Sequence, residues 1–194
     1  MELHRLAEKN EITLVGVKKF DGSATIVREI ITILSRLKEA FQRVNDKRHR
    51  LELEMSPLLN PEDYAETIKR KIKLNAAAFR NVELLETEYQ KDVGDGWFVQ
   101  GTNYQAIIYH EFGHVVANTY KLDSLKISCE ITRLKPKEIL PYVNGVLSKY
   151  AGGFADGREI IAEVFADMST NNPSEFSRKF YEKVLELTKE NRNG

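Results

Sequence analysis

The sequence predicts an α+β fold, in which a small N-terminal β-sheet packed with helices is followed by a mainly helical C-terminal lobe. Three observations favour this class. Strand-like segments fall within the first 75 residues, apolar residues follow helical spacing over residues 24–44, and helical patterning dominates from about residue 137. At 194 residues the chain has the usual length of one domain. We therefore expect a single domain over residues 1–194, with an N-terminal α/β lobe over about 1–102 and a helical lobe over about 103–194.

The N-terminal lobe is predicted to contain three strands and a long helix. Residues 11–17, 50–55 and 72–75 have the alternation or β-branched content of strands. Ser23 is a plausible N-cap for the helix over residues 24–44. Its apolar face consists of Ile26, Val27, Ile30, Ile31, Leu34, Leu37 and Phe41.

Three further segments are predicted from their turn residues and periodicity. Asn60 and Pro61 are typical of a helix start. The glycine-punctuated residues 94–101 indicate a structured loop or a short edge strand. Residues 125–132 are predicted as a strand or an extended connection. From about residue 137 we expect three helical pieces, broken at residues 152–153 and 171–173.

Composition argues against strongly charged partners. Lys+Arg and Asp+Glu are balanced at 29 each, so we expect neither a nucleic-acid nor a membrane partner. The first residues mix charges, unlike a secretory signal, and no segment approaches the roughly 18 apolar residues of a membrane span. The single cysteine, Cys129, excludes an internal disulfide and fits either a reducing compartment or a protein that needs no disulfide for stability.

The segment with the clearest chemistry is Tyr109-His110-Glu111-Phe112-Gly113-His114. His110 and His114 are four residues apart, so on a helix both imidazoles lie on one face and can bind one ion. Glu111 projects beside them. Two neutral nitrogen ligands and a nearby carboxylate that can accept a proton from water are what a zinc hydrolase requires. We expect Ile108, Phe112, Val115 and Val116 to anchor this helix in the core. The small residues Ala106, Gly113 and Ala117 beside the histidines are expected to let another helix approach.

A zinc site of this kind needs a third protein ligand. No histidine follows His114, so that ligand is a carboxylate, Cys129 or an upstream residue. The longer metzincin motif is excluded because Ala117 and Tyr120 stand where it needs Gly and His. The best source is the segment 158–168, in which Glu159 and Glu163 lie opposite an apolar helical face.

Together these blocks resemble the gluzincin group that contains anthrax lethal factor and the Pro-Pro endopeptidases. In that group HExxH is followed by a Tyr and then by a Glu that opens a helix of the type E-F-F-A-E-x-F; here HEFGH precedes Tyr150 and EIIAEVF. The resemblance implies that Glu159 is the third zinc ligand, that Glu163 orients a ligand histidine, and that Tyr150 stabilises the oxyanion. The stretch AGGFADGR between Tyr150 and Glu159 is about two residues longer than in the group. The alternatives to Tyr150 are therefore Tyr142, Tyr109 and Tyr104.

Residues 84–114 also resemble metallopeptidase domains attached to phage head-morphogenesis proteins. The two resemblances cover roughly the C-terminal 60% of the chain and imply a zincin-like, zinc-dependent endopeptidase with a peptide or protein substrate, cytoplasmic or associated with a phage particle. An edge strand near the zinc, from residues 72–75, and the loop 95–102 are expected to line the substrate cleft. Two alternatives stay open: a metal-binding structural or assembly component that cleaves nothing, and a helical binding domain in which HEFGH is accidental.

Overall fold

A computed structural model describes residues 2–44 and 50–190 of the chain. Four strands form one mixed sheet in the order β1-β2-β4-β3: β1 (Ile12–Val15), β2 (Leu51–Ser56), β3 (Ala65–Ile68) and β4 (Lys71–Asn75). β1 and β4 run parallel to β2, whereas β3 runs antiparallel to β4 and forms one edge of the sheet. The three predicted strands are confirmed, and β3 is an addition to them.

Helices occur before, between and after the strands. They are α1 (Glu2–Lys9), α2 (Ala24–Glu39), α3 (Ala76–Phe79), α4 (Val82–Gly94), α5 (Ala106–Tyr120), α6 (Ser124–Thr132), α7 (Pro136–Val146), α8 (Lys149–Gly152), α9 (Arg158–Asp167) and α10 (Glu175–Glu190). All four strands precede α5, and the described elements after it are helical, so the α+β prediction is confirmed. In the described ranges no helix is both long and apolar enough to cross a membrane.

The sheet is buried on one face only. In β2, Leu51, Leu53 and Met55 are buried, while the alternate residues Glu52 and Glu54 are partly exposed. On that outer face Lys71 of β4 forms ion pairs with both glutamates, at 2.6 and 2.8 Å. The inner face is covered by helices, with α5 packed on β3, β4 and α2. This alternation is what period-two patterning predicts for a sheet with one solvated face.

The predicted N-cap of α2 is confirmed, but the helix is shorter than expected. The Ser23 hydroxyl accepts a hydrogen bond from the Thr25 N–H at 3.1 Å. The helix ends at Glu39 rather than near residue 44. The chain then turns through backbone bonds to carbonyls three residues earlier and buries Phe41 against Phe112. Helical spacing alone could not distinguish this turn from a further turn of helix.

The helix start predicted at Asn60 and Pro61 is wrong. The Asn60 side chain closes a turn by accepting from the Glu62 N–H and donating to Asp63, at 3.3 and 2.8 Å. The chain then enters β3, and the Asn75 N–H donates to the Tyr64 carbonyl at 2.9 Å. The physical reason is that β4 offers unpaired backbone groups, and pairing with them outweighs the local helix-start preference.

The prediction for residues 125–132 is also wrong, because this segment is the helix α6. Asp123 caps it by accepting from the Lys126 N–H at 2.9 Å, and Ile127 is buried. The expected helical breaks at residues 152–153 and 171–173 are confirmed. An additional break occurs at Leu147 and Ser148, between α7 and α8.

An extensive helix contact joins α5 to α9. The predicted anchors Ile108, Phe112, Val115 and Val116 are all buried. At Gly113, a Cβ atom would lie 2.9 Å from Ala162 Cα and 3.1 Å from the Ile161 carbonyl oxygen of α9. Only glycine allows this approach, and Gly113 is one of the three small residues expected to permit it. The contact sets the distance between the histidines of α5 and the glutamates of α9.

Replacing Gly113 with alanine should therefore push α9 away from α5. We expect the Gly113→Ala variant to lose about 1–3 kcal/mol of unfolding free energy in urea denaturation, the usual cost of overpacking. Gly145→Ala is the matched control, since no atom lies within 4 Å of a Cβ there. That control should be neutral or stabilising by about 0.5–1 kcal/mol. Equal stability of the Gly113 variant and the natural protein would contradict the close contact.

Candidate metal centre

Three side chains converge at the junction of α5 and α9. The ligand atoms of His110, His114 and Glu159 all lie within 4.8 Å of one another. Glu159 Oε2 is 3.3 Å from His110 Nε2 and 3.0 Å from His114 Nε2. No other group of three or more potential ligands is found within residues 2–44 and 50–190.

These distances fit a tetrahedral zinc ion. Ligand bonds of about 2.0–2.1 Å place tetrahedral ligand atoms about 3.3 Å apart. Glu159 Oε2 is buried and accepts no hydrogen bond with acceptable geometry, although two imidazole nitrogens lie next to it. A buried carboxylate oxygen without a hydrogen-bond donor is costly unless a cation, either a protonated imidazole or a metal ion, neutralises it. The donor set of two imidazoles and one carboxylate is also one that zinc accepts.

Local structure explains the position of Glu159. Gly157 precedes α9 with a positive φ of 64°, and a Cβ there would lie 2.6 Å from Leu125 Cγ. The helix therefore begins at Arg158, which places Glu159 in its first turn, where the helix dipole stabilises a carboxylate. The Nε atom of Arg158 lies 3.3 Å from Glu159 Oε1, which leaves Oε2 toward the histidines.

Glu163 lies one turn further along α9 and orients His110. Its Oε1 accepts a 2.8 Å hydrogen bond from His110 Nδ1. Its Oε2 accepts a second bond, at 2.7 Å, from the Ser148 hydroxyl. A neutral His110 that donates from Nδ1 has its lone pair on Nε2, the atom that faces Glu159.

The histidines and glutamates of the site change each other's pKa values. Burial alone would lower the pKa of His110, but its contacts with Glu159 and Glu163 outweigh burial and raise that pKa to about 10. Burial would raise the pKa of Glu159, yet the adjacent His110 and His114 hold it well below its usual range. Without a metal ion, the positive charge is a proton on the imidazole; with one, the metal takes that role.

Glu111 is held in place by the edge strand. The Thr67 hydroxyl donates to Glu111 Oε2 at 2.6 Å. Glu111 is 5% exposed, lies next to His110 in α5 and lines the cavity described below. The bond fixes the carboxylate against β3, so its orientation depends on the sheet as well as on its own helix.

Tyr150 lies directly against His110. Its ring centroid is 5.7 Å from that of His110, and it also packs on Phe98 and Phe154, at 5.8 and 5.3 Å. Burial, together with the negative charges of Glu159 and nearby carboxylates, raises the pKa of the Tyr150 phenol above its usual value. Tyr150 therefore keeps its hydroxyl proton at neutral pH and can donate a hydrogen bond.

The alternative tyrosines lie elsewhere. The Tyr104 hydroxyl donates to Glu29 at 2.8 Å, and the Tyr142 ring packs on Phe176 at 5.7 Å. Tyr109 is absent from the residues found to line the cavity. Cys129, the open alternative for the third ligand, lines the cavity but does not belong to the converging group.

The site opens into a cavity of about 1640 Å³. Its walls include the edge strand β3, the histidine face of α5, and the predicted loop residues Trp97 and Phe98. The strand at residues 72–75, expected to line the cleft, is instead an inner strand, β4. Thr67 and Ser148 were not predicted as site residues. Ser148 shows a local signal as a helix cap, but nothing near either residue in sequence indicates its glutamate partner.

Comparison of the chain with protein-family models, with curated proteins and with solved structures finds no match.

Zinc binding at this centre has a direct test. We expect about one zinc ion per chain by elemental analysis, and a stabilisation of about 2.7 kcal/mol at a free zinc concentration of 100 times Kd. Glu159→Ala should bind zinc at least about 100-fold more weakly, since loss of a ligand exceeds the 10–100-fold effect of losing an outer contact. The exposed Glu182→Ala variant of α10 is the control. Unchanged zinc affinity in Glu159→Ala would exclude this ligand set.

Proposed function

We propose that the protein is a zinc-dependent endopeptidase that hydrolyses peptide bonds with an activated water. The observation that carries the proposal is the convergence of His110, His114 and Glu159, with Glu111 and Tyr150 at the same cavity. Zinc held by these three ligands would act as a Lewis acid and lower the pKa of a water molecule. The other steps belong to the residues of the chain.

Glu111 is the proposed general base. It follows His110 directly and lies outside the converging ligand group, so it is free to accept a proton from the attacking water. The same carboxylic acid can then give that proton to the amine that leaves when the peptide bond breaks. The Thr67 hydroxyl donates to Glu111 Oε2, so the carboxylate is already oriented before a substrate binds.

Tyr150 is the proposed oxyanion donor. As the peptide carbonyl is attacked, negative charge develops on its oxygen, and a neutral phenol hydroxyl nearby stabilises that charge. Burial and the surrounding carboxylates keep Tyr150 protonated, which is the state required of a donor. Its packing against His110, Phe98 and Phe154 limits the rotamers of the ring.

The edge strand β3 offers a binding mode for an extended peptide. The Asn75 N–H donates to the Tyr64 carbonyl, and residue 66 pairs with Lys73. Alternation along an antiparallel pair then directs the backbone N–H and C=O of Ala65 and Thr67 away from β4, toward the free edge. Both residues line the cavity. A substrate strand added there would run past the histidines and form backbone hydrogen bonds with β3. Such pairing does not by itself select particular substrate side chains.

The gluzincin resemblance of HEFGH, Tyr150 and EIIAE supports the same proposal, because these blocks supply the residues that meet at the cavity. The main alternative is a metal-binding structural or assembly component without turnover. Three features favour catalysis: the Thr67 hydrogen bond that holds Glu111, the Tyr150 hydroxyl, and the edge of β3 at the cavity. A protein that only retains a metal requires none of them.

Replacing Glu111 with glutamine separates catalysis from zinc binding. We expect Glu111→Gln to keep zinc at the natural affinity while kcat for a peptide identified from a library falls about 10²–10⁴-fold, because the amide cannot accept the proton. Zinc content and cleavage are measured on the same preparation. Full activity in this variant would exclude the mechanism, and zinc without cleavage in the natural protein would favour the structural component.

Removing the Tyr150 hydroxyl should reduce the stabilisation of the transition state without affecting zinc binding or substrate binding. We expect Tyr150→Phe to retain zinc and KM while kcat falls about 10²–10³-fold, as for other lost oxyanion donors. Tyr142→Phe is a matched control, because that ring packs on Phe176 away from the cavity. Equal kcat for the two variants would remove Tyr150 from the proposal.

A further inference from the structure

We propose that Ser148 is a positioning residue that couples the orientation of His110 to the placement of Tyr150. The inference rests on the proposed function, because it concerns the zinc ligand His110 and the oxyanion donor Tyr150. The Ser148 hydroxyl would hold both of these residues in place at once.

Ser148 lies at the break between α7 and α8. Its backbone is extended, with φ −159° and ψ 162°, and its residue exposure is 2%. The hydroxyl oxygen accepts a hydrogen bond from the Ala151 N–H at 3.0 Å, which caps α8. The hydroxyl proton is donated to Glu163 Oε2 at 2.7 Å. One buried hydroxyl therefore links the first turn of α8 to a carboxylate of α9.

The bond to Glu163 continues to the metal centre. The opposite oxygen of this carboxylate accepts from His110 Nδ1 at 2.8 Å, and Glu163 is only 1% exposed. Ser148 and His110 thus hold the two oxygens of one buried group. Loss of the hydroxyl would leave Oε2 without this donor, and such a buried group reorients or is protonated. Either change weakens its hold on the imidazole that faces Glu159.

The bond to Ala151 acts on Tyr150. α8 has only four residues, too few for a helix that is stable by itself. Its position depends on packing against α7 and α9, on the Ser148 cap and on two backbone bonds, from Lys149 N–H to the Gly96 carbonyl and from Tyr150 N–H to the Trp97 carbonyl, at 2.9 and 3.3 Å. Without the cap, the turn that carries Tyr150 loses its fixed start, so its ring is less closely held against His110.

The coupling predicts three effects from one substitution, each with its own measurement. In Ser148→Ala, chelator competition should show about 10-fold weaker zinc binding, the lower end of the effect of losing an outer contact. Fluorine NMR of fluorotyrosine-labelled protein should show a shifted or broadened Tyr150 resonance, identified by its loss in Tyr150→Phe. For peptide cleavage, kcat should fall about 10-fold or more with KM within about twofold.

Matched variants separate the hydroxyl from general damage. Ser128→Ala removes another fully buried serine hydroxyl, which donates to the Ser124 carbonyl within α6. It should leave zinc affinity and the Tyr150 resonance unchanged. Ser148→Thr and Ser148→Val have nearly the same shape, so the threonine variant should retain both properties and the valine variant should lose them. This pair keeps the test decisive if Ser148→Ala does not fold.

The results that test the coupling can be distinguished from the results that test the proposed peptidase activity. Weaker zinc binding together with a displaced Tyr150 resonance supports the coupling even if no peptide is cleaved, whereas absence of cleavage alone counts against the peptidase proposal. Zinc affinity within about twofold of the natural protein in Ser148→Ala, or an unchanged Tyr150 resonance, overturns the coupling. Equal behaviour of the threonine and valine variants also overturns it.

Discussion

The close approach of α5 and α9 at Gly113 is the constraint on which the rest of the site depends. Because Gly113 has no Cβ, α5 can pack directly on the backbone of Ala162 in α9. This contact places Glu159 and Glu163, one turn apart on α9, opposite two histidines one turn apart on α5. A wider spacing would move the ligand atoms beyond the reach of one ion, since zinc–ligand bonds are only about 2 Å long.

Burying two carboxylates at this contact would be unfavourable without compensation. His110 lies between them, bonded to Glu163 through Nδ1 and close to Glu159 through Nε2. The resulting charge balance favours a proton on the imidazole or a metal ion beside it. The proposed zinc ion would thus join α5 to α9 and contribute to the stability of the fold as well as to chemistry.

The cavity depends equally on the N-terminal lobe. The edge strand β3 provides the Thr67 hydroxyl that holds Glu111, and the loop after α4 provides the backbone carbonyls that hold α8 and Tyr150. The proposed base and the proposed oxyanion donor are therefore fixed by residues far from them in sequence. Ser148 adds a bridge from α8 to Glu163, so the parts of the site are joined by hydrogen bonds as well as by packing.

The sequence by itself determined the α+β class, the histidine helix and the small residues that let another helix approach it, whereas the roles that the resemblance implies for Glu159 and Tyr150 stay predictions. These depend on periodicity and motif spacing, which are local. Tertiary structure decided the remainder. Residues 60–68 became a turn and an edge strand because β4 offered backbone partners, and 125–132 became α6, which buries Ile127 and packs on α7, α9 and α10. The partners of Thr67 and Ser148 were set by contacts across 44 and 15 residues, which no local pattern encodes.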